Sequence, residues 1–178
     1  EFRRVPFRSQ ALVSDACKAS DKDVDFSRYD ADGDGMVDLV YIIYAGYPAS
    51  MSGYPDDIWP KSGPGNDSFG TYDGKKVCRF GVHAELNFGR ALNQKNGFLL
   101  SGIGLFCHEF SHTLGLPDLY PTVDASKVDN QNPEMWDLMD GGEYTFNGGY
   151  CPTPYSPWEL YVMRWTSPVE LGDEAKQV

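Results

Sequence analysis

The fold is organised around residues 106–120, which read Phe106-Cys107-His108-Glu109-Phe110-Ser111-His112-Thr113-Leu114-Gly115-Leu116-Pro117-Asp118-Leu119-Tyr120. Within this stretch the pattern His-Glu-x-x-His places His108 and His112 four residues apart. On a helix both imidazoles then project from one face and can bind one metal ion. Glu109 lies one position along the helix, where it can reach a water molecule on the metal without being a ligand itself. The pattern predicts a helix that carries a metal centre.

The residues after His112 predict where this helix ends. Gly115 suits the left-handed conformation that ends many helices, and Pro117 prevents the helix from continuing. The chain must therefore turn, and the turn brings Asp118 back towards the two histidines. Catalytic zinc takes three protein ligands and leaves one position for water. Asp118 is the predicted third ligand.

Four other residues are alternatives for this third position. His83 is the only histidine outside the motif. Glu134 and Glu143 are downstream carboxylates, as in the other large class of His-Glu-x-x-His enzymes. Cys78 is an upstream thiol, as in a deformylase-like hydrolase. Asp118, six residues after His112, is favoured over His83. The spacing of Gly115 and Asp118 argues against the two glutamates, and Cys78 is expected on the apolar face of its strand.

The string His-Glu-x-x-His-x-x-Gly-x-x-Asp resembles the metzincin metallopeptidases, in the variant whose third ligand is Asp. Within that clan the chain resembles the catalytic domain of the immune inhibitor A family of secreted bacterial peptidases, from about residue 11 to residue 165. The resemblance implies a zinc-dependent endopeptidase that acts on proteins or peptides, with Glu109 as the general base. It also implies a bacterial protein that is secreted or extracellular, the periplasm and the cell surface included.

The resemblance also implies an α+β fold of metzincin type. We expect a mixed, mainly parallel twisted sheet with an antiparallel edge strand, an active-site helix beneath it, and an irregular C-terminal subdomain that ends in a helix. A chain of 178 residues is long enough for one domain with its own core. The expected division is a single catalytic domain over 1–178, with an upper subdomain to about 115 and a lower one from about 116. A longer secreted precursor is expected around it.

Composition excludes several functions. The net charge is −11, which argues against binding to nucleic acid or to anionic membranes. No apolar run reaches the length of a membrane span. We also expect a monomer. The four cysteines, Cys17, Cys78, Cys107 and Cys151, allow two disulfides or four free thiols.

A second metal site is predicted near the start of the chain. The loop places Asp at its first, third, fifth and ninth positions and Gly at its sixth, which is typical of calcium loops. The predicted structural ligands are Asp30, Asp32, Asp34, Met36 (through its carbonyl) and Asp38. Tyr41 stands where an EF-hand has Glu, and an Asp-rich turn without metal is the alternative. The loop also supports a rival function, a calcium-stabilised binding or adhesion module with a vestigial zinc site.

Periodicity places the remaining candidates. Residues 36–47 predict a central strand buried on both faces, and residues 75–87 alternate as a half-exposed strand with His83 on its polar side. By resemblance the second strand is the edge along which substrate pairs, so His83 is a cleft candidate. The resemblance makes Met139 the hydrophobic floor beneath the metal, and Tyr144 an oxyanion candidate.

Local patterns predict the helices and their ends. Residues 8–20 predict a helix with Val13 and Cys17 on its apolar face. The metal helix is expected to begin at an N-cap on Ser101 and to pack the stripe Phe106, Phe110 and Leu114 against the core. Ser156, Pro157 and Glu159 form a capping box, which explains Glu159 without a metal.

Overall fold

The structure is a computed structural model that describes residues 5–64, 69–122, 132–170 and 172. Its helices are α1 (Val5–Ser20), α2 (Ala49–Ser52), α3 (Arg90–Asn96), α4 (Ile103–Thr113), α5 (Thr145–Gly149) and α6 (Pro157–Val162). Its strands are β1 (Met36–Val37), β2 (Val40–Tyr44), β3 (Lys61–Pro64), β4 (Thr71–Tyr72), β5 (Lys75–Val77) and β6 (Arg79–Ala84). This mixture of helices and strands agrees with the predicted α+β class. None of the helices in these ranges combines the length and the apolar character that a membrane span needs.

The strands form two small mixed sheets. In the first, β6 pairs in parallel with β2 on one side and antiparallel with β3 on the other. In the second, β5 pairs in parallel with β1 and antiparallel with β4. A mixed, mainly parallel sheet with an antiparallel edge strand was expected. Each sheet has one parallel and one antiparallel pair of strands, so each is mixed and neither is mainly parallel. The described strands are divided between two sheets, however, where one was predicted.

The prediction for residues 75–87 is wrong in two respects. Among the described strands, β6 is the central strand of its sheet and not the edge, and β3 lies at the edge. The face that looks polar in the sequence is covered, because Gly81 leaves room for the ring of Tyr41, which a Cβ at that position would overlap. His83 is therefore only 4% exposed. Alternation of polar and apolar residues could not predict this packing, because it depends on the absence of a side chain at Gly81.

The apolar run 36–47 also differs from its prediction. Val37 is buried in β1, and the chain then crosses to the other sheet, where β2 is an edge strand among the described residues. Ile43 is 61% exposed, so β2 is not buried on both faces. The continuous apolar sequence concealed a change of sheet at residues 38–39.

The metal helix α4 packs on an unexpected face. Phe106 and Leu114 are 38% and 40% exposed, whereas His108, Glu109 and Ser111 are largely or fully buried. The predicted apolar stripe is wrong because the motif face itself packs against β3, β6 and the segment 141–149. Phe106 instead stacks on the ring of Phe110 and contacts the tilted ring of Tyr41.

Of the two predicted helix caps, one is wrong and one is confirmed. The N-cap of α4 is Gly102, with no side-chain cap, so Ser101 is not the cap. The capping box at the start of α6 is confirmed, with the side chain of Glu159 accepting a hydrogen bond from the backbone of Ser156. The predicted first helix is confirmed as α1, with Val13 and Cys17 in the main apolar cluster. All four cysteines are free thiols.

Candidate metal centre and active site

The three predicted zinc ligands meet in space. Oδ1 of Asp118 lies 3.2 Å from Nε2 of His108 and 3.2 Å from Nε2 of His112. The two imidazole rings are 4.9 Å apart and nearly perpendicular, at 88°. One ligand atom from each of the three residues lies within 4.8 Å of the other two. The turn after α4 therefore returns Asp118 to the face that carries both histidines.

Backbone carbonyls orient both histidines. Nδ1 of His108 lies 2.9 Å from the carbonyl oxygen of Leu138, and Nδ1 of His112 lies 2.8 Å from that of Leu116. A carbonyl only accepts, so each Nδ1 carries a proton and each neutral ring keeps an electron pair on Nε2. Such outer hydrogen bonds fix the tautomer that a metal ligand needs.

This set of atoms fits zinc. Two imidazole nitrogens and one carboxylate oxygen are donors that zinc accepts, and three protein donors leave a position for water. Oδ1 of Asp118 is buried beside the two Nε2 atoms, and when both rings are neutral and protonated on Nδ1 neither nitrogen can donate to it. A buried carboxylate oxygen that receives no hydrogen bond is costly. A cation bound between the three residues would satisfy it.

The alternatives for the third ligand lie elsewhere. Oε2 of Glu143 is 3.5 Å from Nδ1 of His108, the nitrogen that faces Leu138 and not Asp118. His83 is buried with its Nδ1 3.2 Å from the hydroxyl of Tyr41. Among the described residues, neither Glu134 nor Cys78 joins the group of three ligand atoms. The geometry favours Asp118.

Burial sets the protonation of the acids at the site. Glu109 is 6% exposed, and burial raises its pKa to about 7, although the nearby His108 and His112 favour the charged form. Burial likewise raises the pKa of Glu143 to about 7. A carboxyl that titrates near neutral pH can both take and return a proton, which is the property of a general base that later acts as an acid.

In the absence of metal, the nearby carboxylates favour the charged form of both histidines. Burial lowers the pKa of His108, but the carboxylates of Asp118 and Glu143 outweigh burial and raise it to about 9. The pKa of His112 is also raised, since Asp118 again outweighs burial. The pKa of Asp118 lies well below its usual range: burial opposes this, and the two histidines more than compensate.

A tight turn at residues 137–139 links the two sides of the site. Its carbonyl at Leu138 accepts from His108, and its carbonyl at Met139 accepts from the backbone N–H of Leu119, next to Asp118. The side chain of Met139 is fully buried, and its own N–H donates to Asp137. Met139 thus lies in a turn that contacts both ends of the ligand set.

Tyr144 and His83 differ in what they offer. Tyr144 is half-buried, and burial together with its neighbour Glu143 raises its pKa. His83 is enclosed by the rings of Tyr41 and Phe106, and burial lowers its pKa to about 4. Nothing in the position of His83 supports the predicted contact with substrate.

Sequence reasoning missed two contacts with the ligands. The ring of Tyr120 lies nearly parallel to that of His108, with ring centroids 6.3 Å apart, and burial together with the carboxylate of Asp118 raises the pKa of Tyr120. Its place two residues after Asp118, in the same turn, was the available signal. Glu143 was considered only as a ligand, although it approaches His108 from behind.

The predicted calcium ligands are brought together in part. Carboxylate oxygens of Asp30, Asp32 and Asp34 lie within 4.8 Å of one another. Oδ1 of Asp30 is buried without a hydrogen bond, whereas its Oδ2 accepts from the ammonium of Lys75 at 2.6 Å. The carboxylate of Asp38 accepts from the backbone N–H of Ala31, on the near side of the loop. The N–H of Met36 donates to the carboxylate of Asp34.

Comparison with known proteins agrees with this geometry. Residues 9–165 match the sequence profile of the family described as Immune inhibitor A peptidase M6, catalytic domain. An immune inhibitor A from Bacillus thuringiensis subsp. alesti is 30% identical over an alignment 174 positions long, which covers 82% of this chain and 23% of that protein. The chain thus spans less than a quarter of the length of that relative. It belongs to the immune inhibitor A peptidase M6 catalytic-domain family, a family of metallopeptidases.

Proposed function

We propose that the chain is a zinc-dependent endopeptidase in which His108, His112 and Asp118 hold zinc. The observation that carries this proposal is the position of Oδ1 of Asp118, which is buried, lacks a hydrogen bond and lies 3.2 Å from both Nε2 atoms. When bound, zinc supplies a Lewis acid that lowers the pKa of water and polarises a carbonyl oxygen.

Glu109 is the proposed general base. It is on the buried face of α4, one position after His108, and burial raises its pKa to about 7. At neutral pH its carboxylate accepts a proton from the attacking water. The resulting acid then returns that proton to the nitrogen of the departing amine, which requires the carboxyl of Glu109 to be within hydrogen-bond reach of both the water and that nitrogen.

The proposed substrate edge is β3, since β6 lies inside its sheet. In the described structure β3 pairs with β6 alone, so the other side of its backbone is available for an extended peptide. The hydroxyl of Ser62 donates to the carbonyl of Glu109, and this bond holds β3 against α4 at the general base. Met139 is retained in the proposal as the floor, and Tyr144 as the oxyanion candidate.

Calcium in the Asp30–Asp38 loop is also part of the proposal, in a structural role. The support is the buried Oδ1 of Asp30, which lacks a hydrogen bond and lies beside the exposed carboxylates of Asp32 and Asp34. Lys75 neutralises part of the charge of the loop, so calcium would bind less tightly than in a loop without a lysine.

Family membership supports the proposed location and substrate class, and the monomeric state is proposed with them. We infer a secreted bacterial enzyme that acts as a monomer on proteins or peptides, within a longer protein, as in the relative from Bacillus thuringiensis. The single domain with subdomains to about 115 and from about 116 stays a proposal. Of the described segments after residue 115, none forms a strand.

The test is elemental analysis of the dialysed protein together with cleavage of denatured casein. We expect near-stoichiometric zinc and cleavage that a zinc chelator abolishes. Glu109→Gln should keep the zinc and lose nearly all turnover, since an amide cannot accept the proton. Casein cleavage by that variant at a substantial rate would contradict the role of Glu109. Calcium without zinc would favour the binding or adhesion module.

A further inference from the structure

A cavity of about 270 Å³ opens beside the metal centre. It is lined by Gly63, Pro64, Arg79, His112, Thr113 and Gly115. One wall is the end of the edge strand β3 and the other is the end of the metal helix α4. Because His112 lines it, a group bound in the cavity is a close neighbour of the reaction centre.

The cavity exists because two of its residues lack side chains. A Cβ added to Gly63 or to Gly115 would meet no atom within 4 Å, so open space adjoins both. Gly115 has a φ of +95°, a left-handed conformation that favours glycine. The turn that returns the chain towards Asp118 therefore also clears the space next to His112.

The position of the cavity along β3 suits side-chain recognition. The β3–β6 ladder ends at the pair Pro64–Arg79. Pro64 has no N–H to donate to a bound peptide. A peptide paired with β3 loses its backbone partner there, and its next side chain reaches the cavity.

Charge decides which side chain the cavity would take. The carboxylates of Glu109, Asp118 and Glu143 surround the reaction centre, and the whole chain carries a net charge of −11. The other nearby cation is Lys61, whose ammonium lies over the ring of Phe80. Burial lowers the pKa of Lys61, and the negative charge of Glu109 offsets part of this effect. Arg79 is exposed and forms no ion pair with any described residue. Its guanidinium is thus available to a carboxylate on a substrate.

From these observations we propose that Arg79 makes this cavity a subsite for a carboxylate of the peptide substrate. A guanidinium binds a carboxylate through two parallel hydrogen bonds, so it distinguishes Glu or Asp from their amides as well as from Lys. The carboxylate can belong to an acidic side chain or to the C-terminus of a short peptide. This proposal rests on the proposed peptidase function and adds the substrate class to it.

The test uses internally quenched peptides of one sequence that carry Glu, Gln or Lys at one position at a time around the scissile bond. At one position we expect the wild type to cleave the Glu peptide with about tenfold higher kcat/KM than the Gln peptide, as for one charge-assisted contact. Arg79→Gln should bring this ratio close to one, and Arg79→Glu should invert it in favour of Lys. Arg28→Gln, which removes an exposed arginine elsewhere, is the matched control and should keep the ratio.

A second pair of peptides separates the two sources of carboxylate. If a free C-terminus is preferred over an amidated one, and Arg79→Gln removes that preference, the cavity binds the chain end. An unchanged Glu/Gln ratio together with an unchanged preference for the free C-terminus in Arg79→Gln would overturn the proposal.

Failure of the peptidase function gives a different result. If the wild type cleaves none of the peptides, the proposed function is contradicted, and the subsite is judged by binding. Fluorescence anisotropy of Glu109→Gln with labelled Glu and Gln peptides should then give a lower Kd for Glu. Equal Kd values for the two peptides would overturn the subsite.

Discussion

Oε2 of Glu143 lies 3.5 Å from Nδ1 of His108, the imidazole nitrogen that faces away from Asp118. Glu143 is 6% exposed, and this oxygen has no hydrogen bond of its own. A carboxylate in this position stabilises positive charge on the ring and makes Nε2 a stronger donor to a metal. Glu143 is therefore an outer partner of the proposed zinc ligand His108.

Replacement of Glu143 tests this relationship. Glu143→Gln should weaken zinc affinity by about tenfold, the lower end of the range for outer partners of metal ligands, because the negative charge behind His108 is lost. Competition with a chromophoric chelator measures the affinity. Glu134→Gln, at an exposed position, is the control and should bind zinc like the wild type. Complete loss of zinc in Glu143→Gln would instead identify Glu143 as a ligand.

Removal of the third ligand should have a larger effect. Asp118→Ala leaves only His108 and His112, and we expect zinc affinity to fall by more than the roughly 10- to 100-fold that outer partners contribute. Casein cleavage should be lost under the same conditions. Asp15→Ala, which removes an exposed carboxylate on α1, serves as the control. A zinc-loaded Asp118→Ala protein with normal activity would show that another residue completes the site.

The buried His83 should make stability depend on pH below neutrality. Burial lowers its pKa from 6.5 to about 4, so between these values the unfolded chain binds a proton that the folded chain does not. The contribution of neutral His83 to the free energy of unfolding is therefore fully present above about pH 6.5. It decreases by at most about 3 kcal/mol as the pH falls to 4. Urea unfolding at a series of pH values measures the loss.

His83→Asn isolates this contribution from that of the carboxylates. Asn does not titrate, and its amide oxygen can accept from the hydroxyl of Tyr41, which lies 3.2 Å from Nδ1. The difference in unfolding free energy between wild type and variant should shrink as the pH falls from 6.5 to 4. A constant difference across this range would mean that His83 titrates normally in the folded protein.

Calcium should raise the thermal stability of the protein. A ligand that binds only the folded state increases Tm with its concentration. Calcium should therefore raise the Tm of the wild type and have little effect on Asp34→Asn, which loses one of the clustered carboxylates. Asp23→Asn, an exposed acid outside the loop, should respond like the wild type. Equal responses of all three proteins would remove calcium from the proposal.

The metal motif was predictable because its residues are close in sequence. His108 and His112 are one helical turn apart. Gly115 and Pro117 predict the end of the helix and the turn that returns Asp118 to the two histidines. These are local rules, and the structure brings the three side chains together as the spacing predicts.

Contacts between distant segments could not be predicted in this way. The polar face of β6 is buried because Tyr41 lies over Gly81. The approach of Glu143 to His108 joins residues 35 positions apart, and no periodicity encodes it. In both cases a tertiary contact decides which face is inside, whereas the local pattern only states which face is more apolar.

The close contact of α4 with residues 143–149 has a consequence for the order of folding. A Cβ at Gly102 would overlap the backbone of Gly149, and one at Gly104 would overlap the carbonyl of Glu143. The two backbones touch directly, across a sequence separation of about 40 residues, and contacts of such separation form slowly. We therefore expect α4 to reach its final position only after this distant segment has docked. Newly made chains would acquire the capacity to hold metal late, once most of the domain is complete.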